Sequence, residues 1–173
     1  MIHIKIIKVI EMTTRFFGGI AALLILPLVA ALIIEVFSRH VLGSPTVWAF
    51  EISYMVMGTL FVLGMANALR LKQHVSVDLL TMKMPIRVVA FIRMIFYFML
   101  LPILMWLTWE LAYYFYEAFE SGERSGRSAW NPIVWPIYFT WFLGFLLLVL
   151  QLIAELIKAI ITLTSGKEDD LYE

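Results

Sequence analysis

The chain has 173 residues, of which 62% are hydrophobic and 15% are charged, and its formal net charge is zero. Soluble domains are about 45–50% apolar and about 25% charged, so a globule of this size would leave apolar surface in water. The composition therefore predicts an integral membrane protein. The balanced charge argues against a nucleic-acid-binding protein. The absence of cysteine excludes disulfides, thiolate metal sites and thiol nucleophiles from this sequence.

Four apolar runs approach or exceed the length of about 20 residues that a helix needs to cross a bilayer. Ser44 followed by Pro45 predicts the start of the second span, and Asn131 followed by Pro132 predicts the start of the fourth. The third run is long enough to require tilt, an interfacial portion or a kink at Pro102. We expect one all-α integral membrane subunit over residues 1–173 with four transmembrane helices, at roughly 16–37, 46–70, 88–117 and 132–157.

Lysine and arginine near the ends of the spans predict the orientation of the chain. Ten of them lie in the two termini and in the loop between spans two and three. The opposite side carries three: Arg39, Arg124 and Arg127. Both termini and the middle loop are therefore expected in the cytoplasm, an N-in/C-in topology.

All six tryptophans and several tyrosines lie toward the opposite, outer side. An aromatic belt at the level of the lipid headgroups is one interpretation. A docking surface for a soluble protein is the other, because a belt would occupy both interfaces and because this rim also carries charges of both signs. The residues of this expected docking rim are Glu117, Glu120, Glu123, Arg124, Arg127 and Trp130.

Three charged residues lie near the outer ends of the first two spans. Glu35 and Arg39 are four positions apart and share one helix face, and Glu51 follows across a short loop. We interpret them as a structural staple that joins spans one and two. A proton or ion relay is the alternative, but no titratable residue was found to continue such a path toward the middle of the membrane.

Arg70 lies at the end of span two, and the loop that follows contains His74 and Asp78, which are again four positions apart. We expect a short amphipathic connector that lies in the membrane interface. A metal site is the alternative, but one histidine and one aspartate are only two ligands. The spans contain no histidine that would serve as an axial haem ligand, so no cofactor is expected.

The middle third of the chain resembles the small membrane subunit, DctQ-like, of tripartite ATP-independent periplasmic (TRAP) transporters. The first helix matches this family mainly in hydropathy. The motif residues at the inner end of span two are Gly64, Arg70, His74 and Asp78. The resemblance rests on Arg39, Trp48-x-x-Glu51, Leu63-Gly64-Met65-Ala66-x-Ala68-Leu69-Arg70-x-x-x-His74-Val75-x-Val77-Asp78, Pro85, Trp135-Pro136 and Gly144.

This resemblance implies a non-catalytic, multi-pass subunit of the bacterial inner membrane, surrounded by membrane lipid. Its implied partners are a large multi-span TRAP permease subunit, which it scaffolds, and a periplasmic substrate-binding protein, which it helps to receive. The implied process is sodium-coupled uptake of an organic acid, either sialic acid or a C4-dicarboxylate.

Three other classes remain open at this point. A stand-alone small four-helix channel or exporter would need a polar residue deep in the membrane, for which Asn67 is the deepest candidate. An assembly factor of another membrane complex would need only the four spans. A membrane enzyme would need a catalytic constellation, and the sequence offers no nucleophile–histidine pairing, phosphate loop or acidic metal cluster.

Overall fold

The computed structural model of the chain describes residues 2–73 and 84–166, with side chains from Lys5 onward. These residues form five α-helices: α1 (Ile2–Leu23), α2 (Ile25–His40), α3 (Ala49–Arg70), α4 (Ile86–Ser121) and α5 (Trp135–Ser165). Four helical segments of the described ranges are long and apolar enough to cross a membrane, because α1 and α2 together make one of them. The predicted all-α fold with four transmembrane helices is confirmed.

The first span consists of two helices that follow one another with only Leu24 between them. Pro27 lacks the N–H group that would bond to the carbonyl of Leu23, which interrupts the helical hydrogen bonds at this level. Leu24 nevertheless keeps helical backbone angles (φ −65°, ψ −14°), and Leu28 N–H donates to its carbonyl at 3.3 Å. The chain therefore continues in the same direction through the interruption.

In the described ranges, the four spans lie side by side in the order three, four, two and one. This row is open, because span three packs on span four but not on span one. Through the described ranges, α4 packs extensively on α5, α5 on α3, and α3 on α1 and α2, while α1 also contacts α5. The fourth span is the most enclosed, with 56% of its most apolar segment buried, against 11–17% in the other three. The last helix is thus the centre of the fold, and the other spans keep broad exposed apolar faces.

Small residues allow the helices to approach closely along this row. A side chain at Gly144 of α5 would lie within 2.9 Å of the backbone of Val62 in α3, and one at Gly18 of α1 would lie within 2.7 Å of Asn67. Close approach at small residues is the usual basis of helix packing in membranes. The core between these helices includes Ala21, Ala66, Leu147 and Leu152.

Two predicted helix starts are wrong. Helix α3 begins at Ala49, after an N-cap at Trp48, and not next to Ser44, because Thr46 is bonded to Glu35 instead of entering the helix. Helix α5 begins at Trp135, with Pro136 in its first turn. Asn131 does not cap it, since this residue adopts a left-handed conformation (φ 46°) inside the preceding loop.

Helix α4 continues through Pro102 from Ile86 to Ser121 and ends at Gly122, whose φ of 63° is left-handed. Its 36 residues correspond to about 54 Å of helix, which exceeds the hydrocarbon thickness of about 30 Å. The helix therefore either tilts strongly or extends beyond the apolar layer. The predicted interfacial connector, with His74 and Asp78, and the C-terminal tail from Lys167 lie outside the described residues.

Candidate functional site

The loop between α4 and α5, residues 122–134, is held by its own hydrogen bonds. Ser125 N–H donates to the carbonyl of Pro132 at 3.0 Å, and Val134 N–H donates to the carbonyl of Glu123 at 3.1 Å. Inside this turn, Gly126 N–H donates to the side-chain oxygen of Asn131 at 2.9 Å. The chain thus doubles back through an ordered loop, which we call the α4–α5 loop.

Helix α3 anchors this loop through Glu51, which is only 1% exposed. The hydroxyl of Ser125 donates a 2.5 Å hydrogen bond to a carboxylate oxygen of Glu51. The guanidinium carbon of Arg127 lies 4.7 Å from the centre of the Tyr54 ring, which is a cation–π contact. The loop and the start of α3 enclose a cavity of about 120 Å³ whose wall includes Glu51, Tyr54, Ser125, Arg127, Tyr138 and Trp141.

The structure places the residues of the expected docking rim at this loop and at the end of α4. Glu117 and Glu120 lie exposed in the last turns of α4, and Glu120 accepts a 2.6 Å hydrogen bond from Tyr116. Arg124 donates to the carbonyl of Asn131 at 3.0 Å. The remaining members, Glu123, Arg127 and Trp130, are also exposed in the loop. The six residues therefore lie in the last turns of α4 and in the loop that follows, and α3 contacts this loop at Ser125 and Arg127.

The expected staple of three residues is divided between two places. Arg39 donates to the carboxylate of Glu35 at 2.9 Å, within one helix. The second oxygen of that carboxylate accepts the backbone N–H of Thr46 at 2.9 Å and also its hydroxyl, which joins the end of α2 to the connection before α3. Glu51 does not contact Arg39 in the described chain, because it faces Ser125 instead.

The C-terminal end of α3 carries the next group of predicted residues. The guanidinium of Arg70 donates to the side-chain oxygen of Asn67 at 3.1 Å, one turn earlier on the same helix. A side chain at Gly64 would meet nothing within 4 Å, so this glycine faces open space. His74 and Asp78 lie outside the described residues, and their relation to Arg70 stays a prediction.

The sequence reasoning missed a buried polar cluster between α1 and α5. Lys158 is fully buried and binds the carboxylates of Glu11 and of Glu155, the latter at 3.0 Å. Gln151 donates to Glu155 at 3.0 Å. The signal was present in the sequence, because positions 151, 155 and 158 follow the i, i+4, i+7 spacing of one helix face inside an otherwise apolar segment.

Arg93 and Tyr97 of α4 lie close to this cluster. Together with Glu155 and Thr162 of α5 they line a small cavity of about 10 Å³. Charged and polar groups from α1, α4 and α5 therefore meet at one end of the row. The described residues contain no group of three or more His, Cys, Asp or Glu side chains that could hold a metal ion.

The chain is similar to a known protein family and to a known transporter protein. The model of the family described as "Tripartite ATP-independent periplasmic transporters, DctQ component" matches residues 28–162. The sialic acid TRAP transporter permease protein SiaT of Haemophilus influenzae (strain 86-028NP) is 31% identical to the chain over 84 residues. This match covers 49% of the chain and 13% of that much longer protein. No solved structure gives a significant match.

Proposed function

We propose a function that proceeds from one premise: this chain belongs to the DctQ component family of TRAP transporters. In this proposal, the chain scaffolds a large permease subunit and helps to dock a periplasmic substrate-binding protein. The observation that carries the proposal is the extent of the family match. Residues 28–162 include parts of all four spans, the Glu51 anchor and the whole α4–α5 loop. The helices that would contact the permease and the loop that would contact the binding protein therefore both lie within the matched region.

The open row of helices supports a scaffolding role. Exposed aromatic side chains along α4 include Phe98, Trp106 and Trp109, which are 65–74% exposed in the isolated chain. Such side chains need lipid or another membrane protein around them. A row that packs on one face against a permease and on the other against lipid satisfies this requirement, whereas a closed bundle would offer a partner much less surface.

The α4–α5 loop supports a docking role on the periplasmic side, which is its side under the N-in/C-in topology. Exposed Glu117, Glu123 and Arg124 give the region charges of both signs, and Trp130 adds an aromatic side chain that is 42% exposed. Mixed charge steers and orients a soluble partner, and tryptophan is frequent among residues that dominate binding energy. The hydrogen bonds within the loop present these groups in one arrangement before the partner arrives.

The transported compound is proposed from the relative alone. The H. influenzae protein is named as a sialic acid transporter component, so we propose sialic acid as the first substrate to test and a C4-dicarboxylate as the second. We also propose sodium as the coupling ion and the bacterial inner membrane as the location. In this account the large subunit carries the substrate pathway, and this chain contributes no catalytic step.

Co-purification tests the scaffold directly. The tagged chain is expressed with a large multi-span TRAP permease subunit from the same organism, and the membranes are extracted in mild detergent. We expect the two chains to elute as one complex. A chain that elutes alone under all extraction conditions, and that conducts ions when reconstituted by itself, would favour a stand-alone channel or exporter instead.

A further inference from the structure

The cavity between the α4–α5 loop and the start of α3 carries more acidic than basic side chains. Its wall includes Glu51, Glu123 and Arg127. The guanidinium of Arg127 lies over the ring of Tyr54, and within the described chain it forms no ion pair with either glutamate. Two acidic groups and one basic group leave one formal negative charge in excess at this cavity.

Glu51 supplies an oxygen atom that can accept a further hydrogen bond. Its Oε1 atom accepts the hydroxyl of Ser125 at 2.5 Å. Its Oε2 atom has no donor among the described residues, although Glu51 is only 1% exposed and lines the cavity. A buried carboxylate oxygen without a partner is unfavourable. A donor that enters the cavity from another molecule would remove this cost.

The size and the wall of the cavity favour an organic cation. A water molecule needs about 10–15 Å³ of such space, so a cavity of about 120 Å³ has room for a group of several heavy atoms. The wall also includes Tyr54, Tyr138 and Trp141, and cations bind favourably to aromatic rings. A metal cation is disfavoured, because the described residues hold no group of three or more His, Cys, Asp or Glu side chains and Arg127 would repel it.

We propose that this cavity binds the ammonium group of a lysine side chain from the periplasmic binding protein. The ammonium donates a hydrogen bond to Oε2 of Glu51 and balances the excess negative charge. The source is the binding protein, because Glu123 and Arg127 are the exposed members of the wall and belong to the expected docking rim. Lysine suits the cavity better than arginine, because its charge is compact and Arg127 already occupies the ring of Tyr54. This inference rests on the proposed docking function.

Glu51→Gln tests the charge and keeps the anchor, because the amide oxygen can still accept the hydroxyl of Ser125. The complex of this chain with the permease is reconstituted in nanodiscs of phosphatidylcholine and phosphatidylglycerol, which contain no primary amine. We expect the variant to bind the periplasmic protein about tenfold more weakly than the wild-type complex does. Glu117→Gln is the matched control, because it makes the same change at an exposed side chain outside the cavity. Unchanged affinity of the Glu51 variant would overturn the proposal.

Single Lys→Gln variants of the binding protein distinguish a lysine contact from a loosened loop. For one of these lysines, the loss of affinity should match that of Glu51→Gln, and the two losses should not add when the variants are combined. A loosened loop would instead give losses that add for every lysine, and this result would overturn the proposal.

Two further results separate the remaining explanations. If Glu51→Gln weakens binding only in nanodiscs that contain phosphatidylethanolamine, the ammonium belongs to a lipid headgroup, which would overturn the assignment to a lysine. If the periplasmic protein does not bind the wild-type complex at all, the docking function itself is wrong, and this inference is wrong with it.

Discussion

The hydroxyl of Ser125 and the buried carboxylate of Glu51 are 2.5 Å apart, although the two residues are separated by 74 positions in the chain. This hydrogen bond fixes the α4–α5 loop against the first turn of α3. It also explains why a glutamate occurs inside the protein at the end of a span, where an unbonded carboxylate would be strongly unfavourable. Everything proposed for the docking region depends on this anchor.

Replacing Ser125 by alanine should loosen the loop. The carboxylate of Glu51 would lose its only hydrogen-bond donor seen in the described chain, at a cost of about 1–3 kcal/mol. We expect a lower melting temperature and faster proteolysis within residues 122–134. Ser121→Ala is the control, because that exposed hydroxyl bonds only to a carbonyl of its own helix. Equal effects of both variants would contradict the role of the anchor.

Reversing the charge of Glu117 should weaken docking without affecting the fold. This side chain is exposed and makes no ion pair within the described chain. Because charges at the edge of an interface act mainly on the rate of association, Glu117→Lys should slow binding of the periplasmic protein more than Glu117→Gln does. The difference should shrink at high salt. Association measured on the reconstituted complex checks this, and identical rates for both variants at low salt would argue against docking at this rim.

Replacing Lys158 by methionine should strongly destabilise the contact between α1 and α5. The substitution leaves the carboxylates of Glu11 and Glu155 without their shared cation, and breaking a buried ion pair typically costs about 3–5 kcal/mol. Lys5→Met is the control, because Lys5 is exposed on α1. Thermal unfolding in nanodiscs measures both variants. Near-equal melting temperatures would mean that the cluster does not hold the N-terminal helix.

Adding a methyl group at Gly144 should separate α3 from α5. A Cβ atom there would lie 2.4 Å from a methyl carbon of Val62 and 2.9 Å from its backbone, so one of the helices must move. Overpacking of this kind costs about 1–3 kcal/mol. Gly19→Ala makes the same change where nothing lies within 4 Å and should be neutral or slightly stabilising. Melting curves that rank the two variants in the opposite order would contradict the packing described for the central helix.

Hydropathy predicted the four spans because each apolar run is long enough to cross a bilayer, and this property does not depend on tertiary contacts. The starts of α3 and α5 were mispredicted for a physical reason. Thr46 bonds to Glu35, and the side chain of Asn131 accepts a bond from Gly126 within the loop, so contacts outside the helices decide the local backbone at both places. The partner of Glu51 could not be predicted, because Ser125 lies on a distant loop. Glu155 and Lys158 were predictable, because with Gln151 they share one face of an otherwise apolar helix.

Uptake by reconstituted complexes tests the central claim most directly. Proteoliposomes contain the large permease with or without this chain. The periplasmic binding protein is added outside, together with labelled sialic acid and a sodium gradient. A labelled C4-dicarboxylate serves as the second substrate. The account predicts uptake only when both membrane chains and the binding protein are present, and no uptake by this chain alone. Full uptake by the permease without this chain would contradict the account.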